Sequence, residues 1–217
     1  MSVNIAIDGP AGAGKSTIAK MIAKKLGYIY VDTGAMYRAM ALYLLREKIL
    51  PSETEKINMK CWEADISIDY ENGEQIVYLN GENVNGLIRT EEVGNMASAS
   101  SPNPNVRRKL VELQQKLAAD KDVVMDGRDI GTCVLPDAQL KIYLTADSRV
   151  RAMRRHKELE AKGVSCSLDE IEKDIIERDR QDMTRDISPL KQAKDAVLVD
   201  SSYMTIEEAA SAVIALL

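Results

Sequence analysis

Apolar residues cluster in five short stretches that are separated by longer amphipathic segments. These stretches are rich in β-branched and aliphatic residues and mostly lack strict alternation, as is typical of parallel strands that are covered on both faces. They are Val3–Asp8, Tyr28–Asp32, Asp122–Asp126, Leu140–Leu144 and Ala196–Asp200. Because helical patterns lie between them, we predict a three-layer α/β/α core built on a five-stranded parallel sheet.

One segment departs from this rhythm. Apolar and polar residues alternate over residues 65–70, and Asn-Gly pairs follow at residues 72–73 and 80–81. Alternation predicts strands with one buried face, and Asn-Gly is a strong hairpin signal. We therefore predict a small antiparallel sheet inserted between two parts of the core. The predicted division is residues 1–61 and 95–217 for the core and residues 62–94 for the insert.

The composition limits the class of protein. A chain of 217 residues is long enough for one core and a small insert. The net charge of −5 argues against a nucleic-acid or membrane-surface protein, which would carry a basic stripe, and no apolar run reaches the length of a membrane span. Three distant cysteines and a single histidine indicate neither a disulfide framework, a zinc site nor a multi-histidine centre. We expect a cytoplasmic monomer.

Residues 9–16 read GPAGAGKS and match the phosphate-binding pattern G-x-x-x-x-G-K-[ST], between an apolar strand and a helix. Glycines let backbone N–H groups converge on phosphate oxygens, and the helix N-terminus adds its dipole. In such a loop Lys15 would reach the β- and γ-phosphates, and the Ser16 hydroxyl would bind Mg²⁺. The segment therefore predicts binding of a nucleoside triphosphate with magnesium. The residues predicted to bind it here are Gly9, Pro10, Ala11, Gly12, Ala13, Gly14, Lys15, Ser16 and Thr17.

The other strands are followed by arginines rather than by the elements of a GTPase switch. No D-x-x-G or N-K-x-D sequence occurs in the chain. Instead, DTGAMYR follows the second strand, DGRDIG the third and SRVRAMRR the fourth. Ligands bind at the carboxyl ends of strands in open α/β sheets, and arginine suits a second anionic substrate there. A small-molecule kinase is favoured over a hydrolytic switch.

The stretch ERDRQDMTR, residues 177–185, is either a solvated helix surface or a ligand-binding one. Ser167 and Glu170 predict a capping box that begins this helix. Its apolar stripe, Leu168, Ile171 and Ile175, continues at helical spacing through Arg178, Asp182 and Arg185. Charged residues on a core-facing stripe indicate a polar cleft or a ligand, so the second interpretation is favoured.

Together, DGPAGAGKST, DTGAMYR, DGRDIG and RDRQDMTR, in this order and with the insert after the second strand, resemble the bacterial cytidylate kinases. The resemblance extends from Val3 nearly to the C-terminus. It implies a P-loop nucleoside-monophosphate-kinase fold in which the insert binds the monophosphate and residues 151–168 form a helical lid. The implied reaction is transfer of the γ-phosphoryl group of ATP to CMP or dCMP, with magnesium.

The resemblance also implies roles for individual residues. Those placed at the acceptor nucleotide are Thr33, Tyr37, Arg38, Ser98, Arg107, Arg128, Asp129, Arg178, Asp182 and Arg185. Among them, Ser98, Arg107 and Asp129 would read cytosine, and Arg178 and Asp182 would lie at the ribose. Thr33 would donate its hydroxyl to the phosphate or cap the helix that follows it, and both roles remain open.

The remaining implied roles concern the donor side. Arg151 and Arg155 of the lid would bind ATP, and Asp126 would lie near Mg²⁺ with Ser16. The residues expected to take part in the transfer itself are Lys15, Asp126, Arg128, Arg154 and Arg185. A phosphate oxygen of CMP is already anionic near neutral pH, so no general base is expected. The alternatives are a kinase of another monophosphate, such as UMP or AMP, and a nucleotide-binding regulatory protein without transferase activity.

Overall fold

A computed structural model describes residues 2–161 and 163–217; Lys162, in the expected lid segment, is outside the described residues. The strands are β1 (Asn4–Asp8), β2 (Ile29–Asp32), β3 (Ile66–Glu71), β4 (Glu74–Leu79), β5 (Glu82–Asn83), β6 (Val123–Gly127), β7 (Leu140–Thr145) and β8 (Val197–Asp200). The α-helices are α1 (Lys15–Leu26), α2 (Thr33–Arg46), α3 (Thr54–Lys60), α4 (Glu91–Ser100), α5 (Pro104–Ala119), α6 (Ser148–Glu160), α7 (Leu168–Thr184) and α8 (Ile206–Ile214). A π-helical turn spans Ile130–Val134.

The five apolar stretches form one parallel sheet in the order β2-β6-β1-β7-β8. This confirms the predicted core, with each strand within one or two residues of its expected limits. Because all five strands are parallel, their carboxyl ends lie at the same edge of the sheet. The segments that directly follow β1, β2, β6 and β7 therefore meet there, and they carry the phosphate-binding pattern and the arginine-containing motifs of the sequence.

Helices cover both faces of the sheet and produce two separate apolar cores. On one face α1 and α8 pack over Ile5, Ile7 and Ile142, all of which are buried. On the other face α2, α4 and α5 pack over Val31 and Met125. Burial on both faces explains why the strands read as continuous apolar runs. None of the helices in the described part of the chain is long and apolar enough to cross a membrane.

The insert contains the predicted antiparallel sheet, with strand order β3-β4-β5. Both Asn-Gly pairs adopt positive φ angles, as the tight turns of a hairpin require. Its apolar side chains join the same core as α2, and the Gln75 side-chain amide accepts the Asp32 N–H at 2.8 Å and donates to the Asp32 carbonyl at 3.2 Å. The insert is therefore attached to the edge strand β2. Residue 94 lies within α4, and the division into core and insert remains a prediction.

Helix α6 contains the first part of the expected lid segment, residues 151–160, and packs against α7 through a small apolar cluster. Ala152 of α6 contacts Ile171 and Ile175 of α7 there. The predicted capping box of α7 is wrong in one respect, since Ser167 holds the N-cap position but its hydroxyl makes no capping hydrogen bond. A complete box forms instead at α8, between Thr205 and Glu208.

Candidate active site

The phosphate-binding loop connects β1 to α1 and passes close to β7. Gly9, Gly12 and Gly14 all have positive φ angles. At Gly9 a Cβ atom would lie 1.9 Å from the Leu144 carbonyl oxygen, so only glycine allows the loop to pass this strand. The loop thus adopts the geometry that brings backbone N–H groups together at the start of α1.

Lys15 lies inside the loop and is buried. Its ammonium group donates a hydrogen bond to the Pro10 carbonyl oxygen at 2.8 Å. Burial lowers the pKa of Lys15 to about 7, and the neighbouring charge of Arg128 contributes in the same direction. The negative charge of a bound phosphate group would oppose both effects and raise the pKa of Lys15.

Ser16 and Asp126 meet at the carboxyl ends of β1 and β6. The Ser16 hydroxyl donates to Asp126 Oδ2 at 3.0 Å, and the Tyr30 hydroxyl donates to Oδ1 at 2.8 Å. Burial, together with the charge of Asp32, raises the pKa of Asp126. One hydroxyl and one carboxylate suit Mg²⁺, which keeps several water ligands and is completed by substrate phosphates. The described residues contain no cluster of three or more acidic, histidine or cysteine side chains that could hold a metal by themselves.

Asp8, which sequence reasoning did not select, anchors the segment after β6. Its carboxylate accepts the N–H groups of Ile130 and Gly131, both at 2.7 Å. Burial raises the pKa of Asp8 to about 6, against the lowering effect of these two hydrogen bonds. The two contacts fix the residues that directly follow Arg128 and Asp129. Its position at the end of a strand, next to the phosphate-binding loop, was the available signal.

Among the residues expected at the acceptor nucleotide, Thr33 does not cap α2. The N-cap residue is Asp32, whose carboxylate accepts the Ala35 N–H at 2.9 Å. The capping alternative for Thr33 is therefore wrong, and its hydroxyl donates to the Asp126 carbonyl oxygen at 2.8 Å. The side-chain role of Thr33 toward a phosphate stays a prediction.

Asp32 also holds two arginines. Arg38 lies 3.1 Å and Arg89 2.7 Å from Asp32 Oδ2. Burial alone would raise the pKa of Asp32, but these two charges outweigh it and hold the pKa below its ordinary value. Arg89 lies outside every motif that we selected, and no sequence signal marked it.

Arg107, Asp129 and Arg185 form a buried group behind the end of β6. Arg107 makes an ion pair with Asp129 Oδ2, and an Arg185 Nη atom lies 3.7 Å from Oδ1. The Arg107 guanidinium is also 5.8 Å from the centre of the Tyr37 ring. Ser98 is half-buried on α4, and within the described residues its side chain makes no hydrogen bond to this group. The structure thus brings together Tyr37, Arg107, Asp129 and Arg185.

The charged end of α7 only partly follows the predicted stripe. Asp182 accepts a hydrogen bond from Arg128 Nε at 2.7 Å, and an Arg185 Nη atom lies 3.6 Å from Asp182. Arg178, by contrast, is exposed, and the buried residue is its neighbour Asp179. The inward direction that we predicted for Arg178 is therefore wrong. Continuing the stripe by i+4 from Ile175 would have selected Asp179.

The three arginines of the expected lid lie in different environments. Arg151 is buried and donates to the Ala11 carbonyl oxygen at 2.8 Å and to Asp179 at 2.6 Å. Arg154 donates to the Ser201 carbonyl oxygen at 2.7 Å, close to the turn that contains Gly14. Arg155 forms an exposed ion pair with Glu158 at 3.1 Å. The structure therefore brings Arg151 and Arg154 to the phosphate-binding loop.

Three buried polar atoms near the carboxyl ends of β2 and β6 have no hydrogen-bond partner within the described residues. They are the Tyr37 hydroxyl, Arg38 Nε and one Nη of Arg185. Buried donors are normally satisfied, so a concentration of unsatisfied ones marks a place where a polar ligand can bind. All three belong to residues that were expected at the acceptor nucleotide.

Comparisons with known proteins agree on one family. A family model described as cytidylate kinase matches residues 5–217. A cytidylate kinase of Caldicellulosiruptor saccharolyticus is 53% identical over 206 residues, which are 95% of this chain and 91% of the relative. The cytidylate kinase of Ligilactobacillus salivarius is 50% identical over 206 residues, 95% of this chain and 92% of the relative. That of Thermotoga maritima is 47% identical over 208 residues, 96% of this chain and 93% of the relative.

Solved structures support the architecture. A shikimate kinase from Bacteroides thetaiotaomicron superposes with a TM-score of 0.51 at 15% identity, over 99% of this chain and 97% of that one. A protein from Eubacterium ventriosum, whose structure carries no assigned function, gives a TM-score of 0.53 at 13% identity, over 100% and 98% of the two chains. At such identities the likeness shows the fold alone.

Proposed function

The chain belongs to the cytidylate kinase family, and we propose that it transfers the γ-phosphoryl group of ATP to CMP and dCMP, forming CDP and dCDP. The observation that carries the choice of acceptor is the buried Arg107–Asp129 pair, next to Arg128 and Arg185 and at the same sheet edge as the phosphate-binding loop. The donor and acceptor sides are then adjacent, as a direct transfer between two nucleotides requires.

Asp129 supports recognition of cytosine. Its Oδ2 is held by Arg107, while Oδ1 accepts no hydrogen bond from the described residues. A carboxylate oxygen suits the exocyclic amine of cytosine, and the Arg107 guanidinium supplies donors for the ring N3 and O2 atoms. Uracil would place an acceptor against the carboxylate and leave buried polar groups unpaired, which gives large discrimination.

The acceptor phosphate would be held by arginines that approach from different elements. Arg38 comes from α2, Arg128 follows β6 and Arg185 follows α7. Each can bind phosphate oxygens through two N–H groups, which fixes the direction of the attacking oxygen. Because that oxygen is already anionic, these side chains need only position it and offset the charge that accumulates in the transition state.

On the donor side, Lys15 and the backbone N–H groups of the loop would hold the triphosphate. Ser16 and Asp126 would hold Mg²⁺, which supplies charge neutralisation at the transferring phosphoryl group. Arg154, beside the loop, is placed to contribute positive charge, and packing of α6 over the loop would exclude water that could otherwise hydrolyse ATP.

The direct test is the initial rate of ADP formation from MgATP with CMP, dCMP, UMP, AMP or no acceptor. We expect turnover with CMP and dCMP only. Preference for UMP or AMP would contradict the assignment of Asp129, and no turnover with any of the four would favour a regulatory nucleotide-binding protein. In Arg128→Ala and Arg185→Ala we expect kcat to fall about a hundredfold or more while ATP binding is retained. Unchanged kinetics would remove that residue from the mechanism.

A further inference from the structure

A buried carboxylate on α7 contacts the phosphate-binding loop directly. Asp179 Oδ1 accepts the Ala11 N–H at 3.1 Å, and Oδ2 accepts a hydrogen bond from Arg151 Nη1 at 2.6 Å. The same Nη1 atom donates to the Ala11 carbonyl oxygen at 2.8 Å. Arg151 Nε is held in turn by the Ala146 carbonyl oxygen at 2.8 Å. These charge-assisted hydrogen bonds, which we call the Asp179–Arg151 clasp, join α6, α7 and the loop.

The clasp fixes the direction of two consecutive peptide groups. In a trans peptide the N–H and C=O bonds point in opposite directions. The Pro10–Ala11 peptide turns its N–H toward Asp179, and Lys15 binds its carbonyl oxygen at 2.8 Å. The next peptide turns the Ala11 carbonyl toward Arg151, so its N–H, on Gly12, points away from that side chain. Loss of the clasp would free both peptides to rotate, and glycine at position 12 offers little resistance.

Close packing supports the same connection. A Cβ atom at Gly12 would lie 3.3 Å from the Arg151 Cβ and 3.8 Å from the Ile175 Cδ1. Both helices therefore lie close to Gly12, at the point where the clasp binds the loop, and leave little room for a larger residue there. A shift of either helix would be transmitted to the backbone that binds phosphate.

The helix that carries Asp179 also reaches the acceptor side. Asp182 lies three residues further along α7, a rise of about 4.5 Å, and accepts the 2.7 Å hydrogen bond from Arg128. Arg185 follows, 3.7 Å from Asp129. Helix α7 and the residue that ends it thus contact the phosphate-binding loop through Asp179 and the acceptor group through Asp182 and Arg185.

We infer that Asp179 is a positioning residue, which with Arg151 holds the phosphate-binding loop in its nucleotide-binding form and couples it through α7 to the acceptor site. This inference rests on the proposed function, since it requires two nucleotide sites. It changes the expected role of Arg151 from a ligand of ATP to a support of the loop. Coupling between two binding sites is reciprocal. If an acceptor that orders the end of α7 strengthens donor binding by some factor, the donor strengthens acceptor binding by the same factor.

The test is calorimetric titration of the protein with a non-hydrolysable ATP analogue and Mg²⁺, with and without saturating CMP. In Asp179→Asn the new amide would present a donor to the Arg151 guanidinium, which leaves a buried charge unpaired. We expect the Kd of the analogue to rise about tenfold, the Kd of CMP measured alone to be unchanged, and the effect of CMP on analogue binding to be lost. Asp174→Asn, the same substitution at an exposed position of α7, should match the wild type.

Arg151→Lys gives an independent variant should Asp179→Asn not fold. Lysine keeps a positive charge beside Asp179, but it lacks the fork that binds Asp179, Ala11 and Ala146 together. We expect weaker analogue binding and reduced coupling. Three results would overturn the inference. They are unchanged coupling in Asp179→Asn, effects on thermal stability alone in both variants, and absence of coupling in the wild type. A wild type that binds the analogue but not CMP would instead contradict the proposed function, while the effect of the variants on the analogue would still report on the clasp.

Discussion

Arg107 and Asp129 form an ion pair in which each side chain exposes only 6% of its surface. Removing two charges from water costs several kcal/mol per ion, and their attraction offsets this only when the remaining polar atoms are satisfied. Replacing a buried ion pair by apolar residues of similar volume is often neutral or stabilising. The cost of burying the pair thus agrees with the proposal that its polarity serves to bind a base.

This leads to a prediction in which stability and activity separate. Asp129→Leu should lower the free energy of unfolding by about 3–5 kcal/mol, because it leaves Arg107 charged, buried and unpaired. The double variant Arg107→Met/Asp129→Leu should recover most of that stability but have no measurable turnover with CMP. Urea unfolding and the coupled assay measure the two quantities. A double variant as unstable as the single one would show that the pair itself maintains the fold.

A second prediction concerns the protonation of Lys15. Its pKa is lowered to about 7, so at pH 8 most of the free protein carries the neutral amine. Triphosphate favours the charged form, and binding of MgATP at pH 8 should therefore take up about one proton. Calorimetry in buffers of different ionisation enthalpy measures this number directly.

Two controls test whether Lys15 is the group that takes up this proton. Uptake should largely disappear at pH 6, where Lys15 is already charged, and it should be absent at both pH values in Lys15→Arg, since arginine stays protonated. Equal uptake in Lys15→Arg and in the wild type would assign the proton to another group.

Asp8 gives a prediction about pH and stability. Its pKa is raised from 3.8 to about 6, so between these values the folded protein binds a proton that the unfolded chain does not. Protonation thus contributes stability that is complete below pH 4 and is lost as the pH rises through 6, about 3 kcal/mol in all. Asp8→Asn does not titrate. The difference in free energy of unfolding, wild type minus variant, should therefore be larger at pH 4 than at pH 7.

Asp8→Asn should also reduce activity, for a separate reason. The carboxylate accepts two N–H groups, whereas an amide can accept with only one atom and would leave Ile130 or Gly131 without a partner. The segment that carries Arg128 and Asp129 would loosen, and we expect kcat to fall about tenfold at pH 7.5 with little change in the Kd of MgATP. A matching loss of ATP binding would place the effect in the phosphate-binding loop instead.

The sequence made the core predictable because each strand is buried on both faces and so reads as an unbroken apolar run. The phosphate-binding loop was predictable for a different reason, since its glycines and Lys15 are required at fixed spacing. The strand order β2-β6-β1-β7-β8 was not, because nothing local determines which strands become neighbours.

The contacts of the charged residues in the site were less predictable from the sequence. On α7, Arg178 is exposed, whereas the next residue, Asp179, binds the loop. Helical periodicity allows either residue to continue the buried stripe, so it does not distinguish them. Arg89 comes to Asp32 only because the insert folds back onto β2, a contact between residues 57 positions apart. Pairings of this kind depend on tertiary structure and are not indicated by any periodic pattern in the sequence.

The last prediction compares the same substitution at two glycines, for which we expect opposite effects on stability. Gly9→Ala would place a methyl group 1.9 Å from the Leu144 carbonyl oxygen, at a φ of 152°, so the loop would have to move away from β7. We expect the free energy of unfolding to fall by about 2 kcal/mol or more and MgATP binding to be undetectable. Gly94→Ala lies within α4 with open space around it, and should stabilise the protein by about 0.5–1 kcal/mol with unchanged binding. Urea unfolding and calorimetry with MgATP compare the pair. Retained MgATP binding in Gly9→Ala would show that the loop does not depend on its contact with β7.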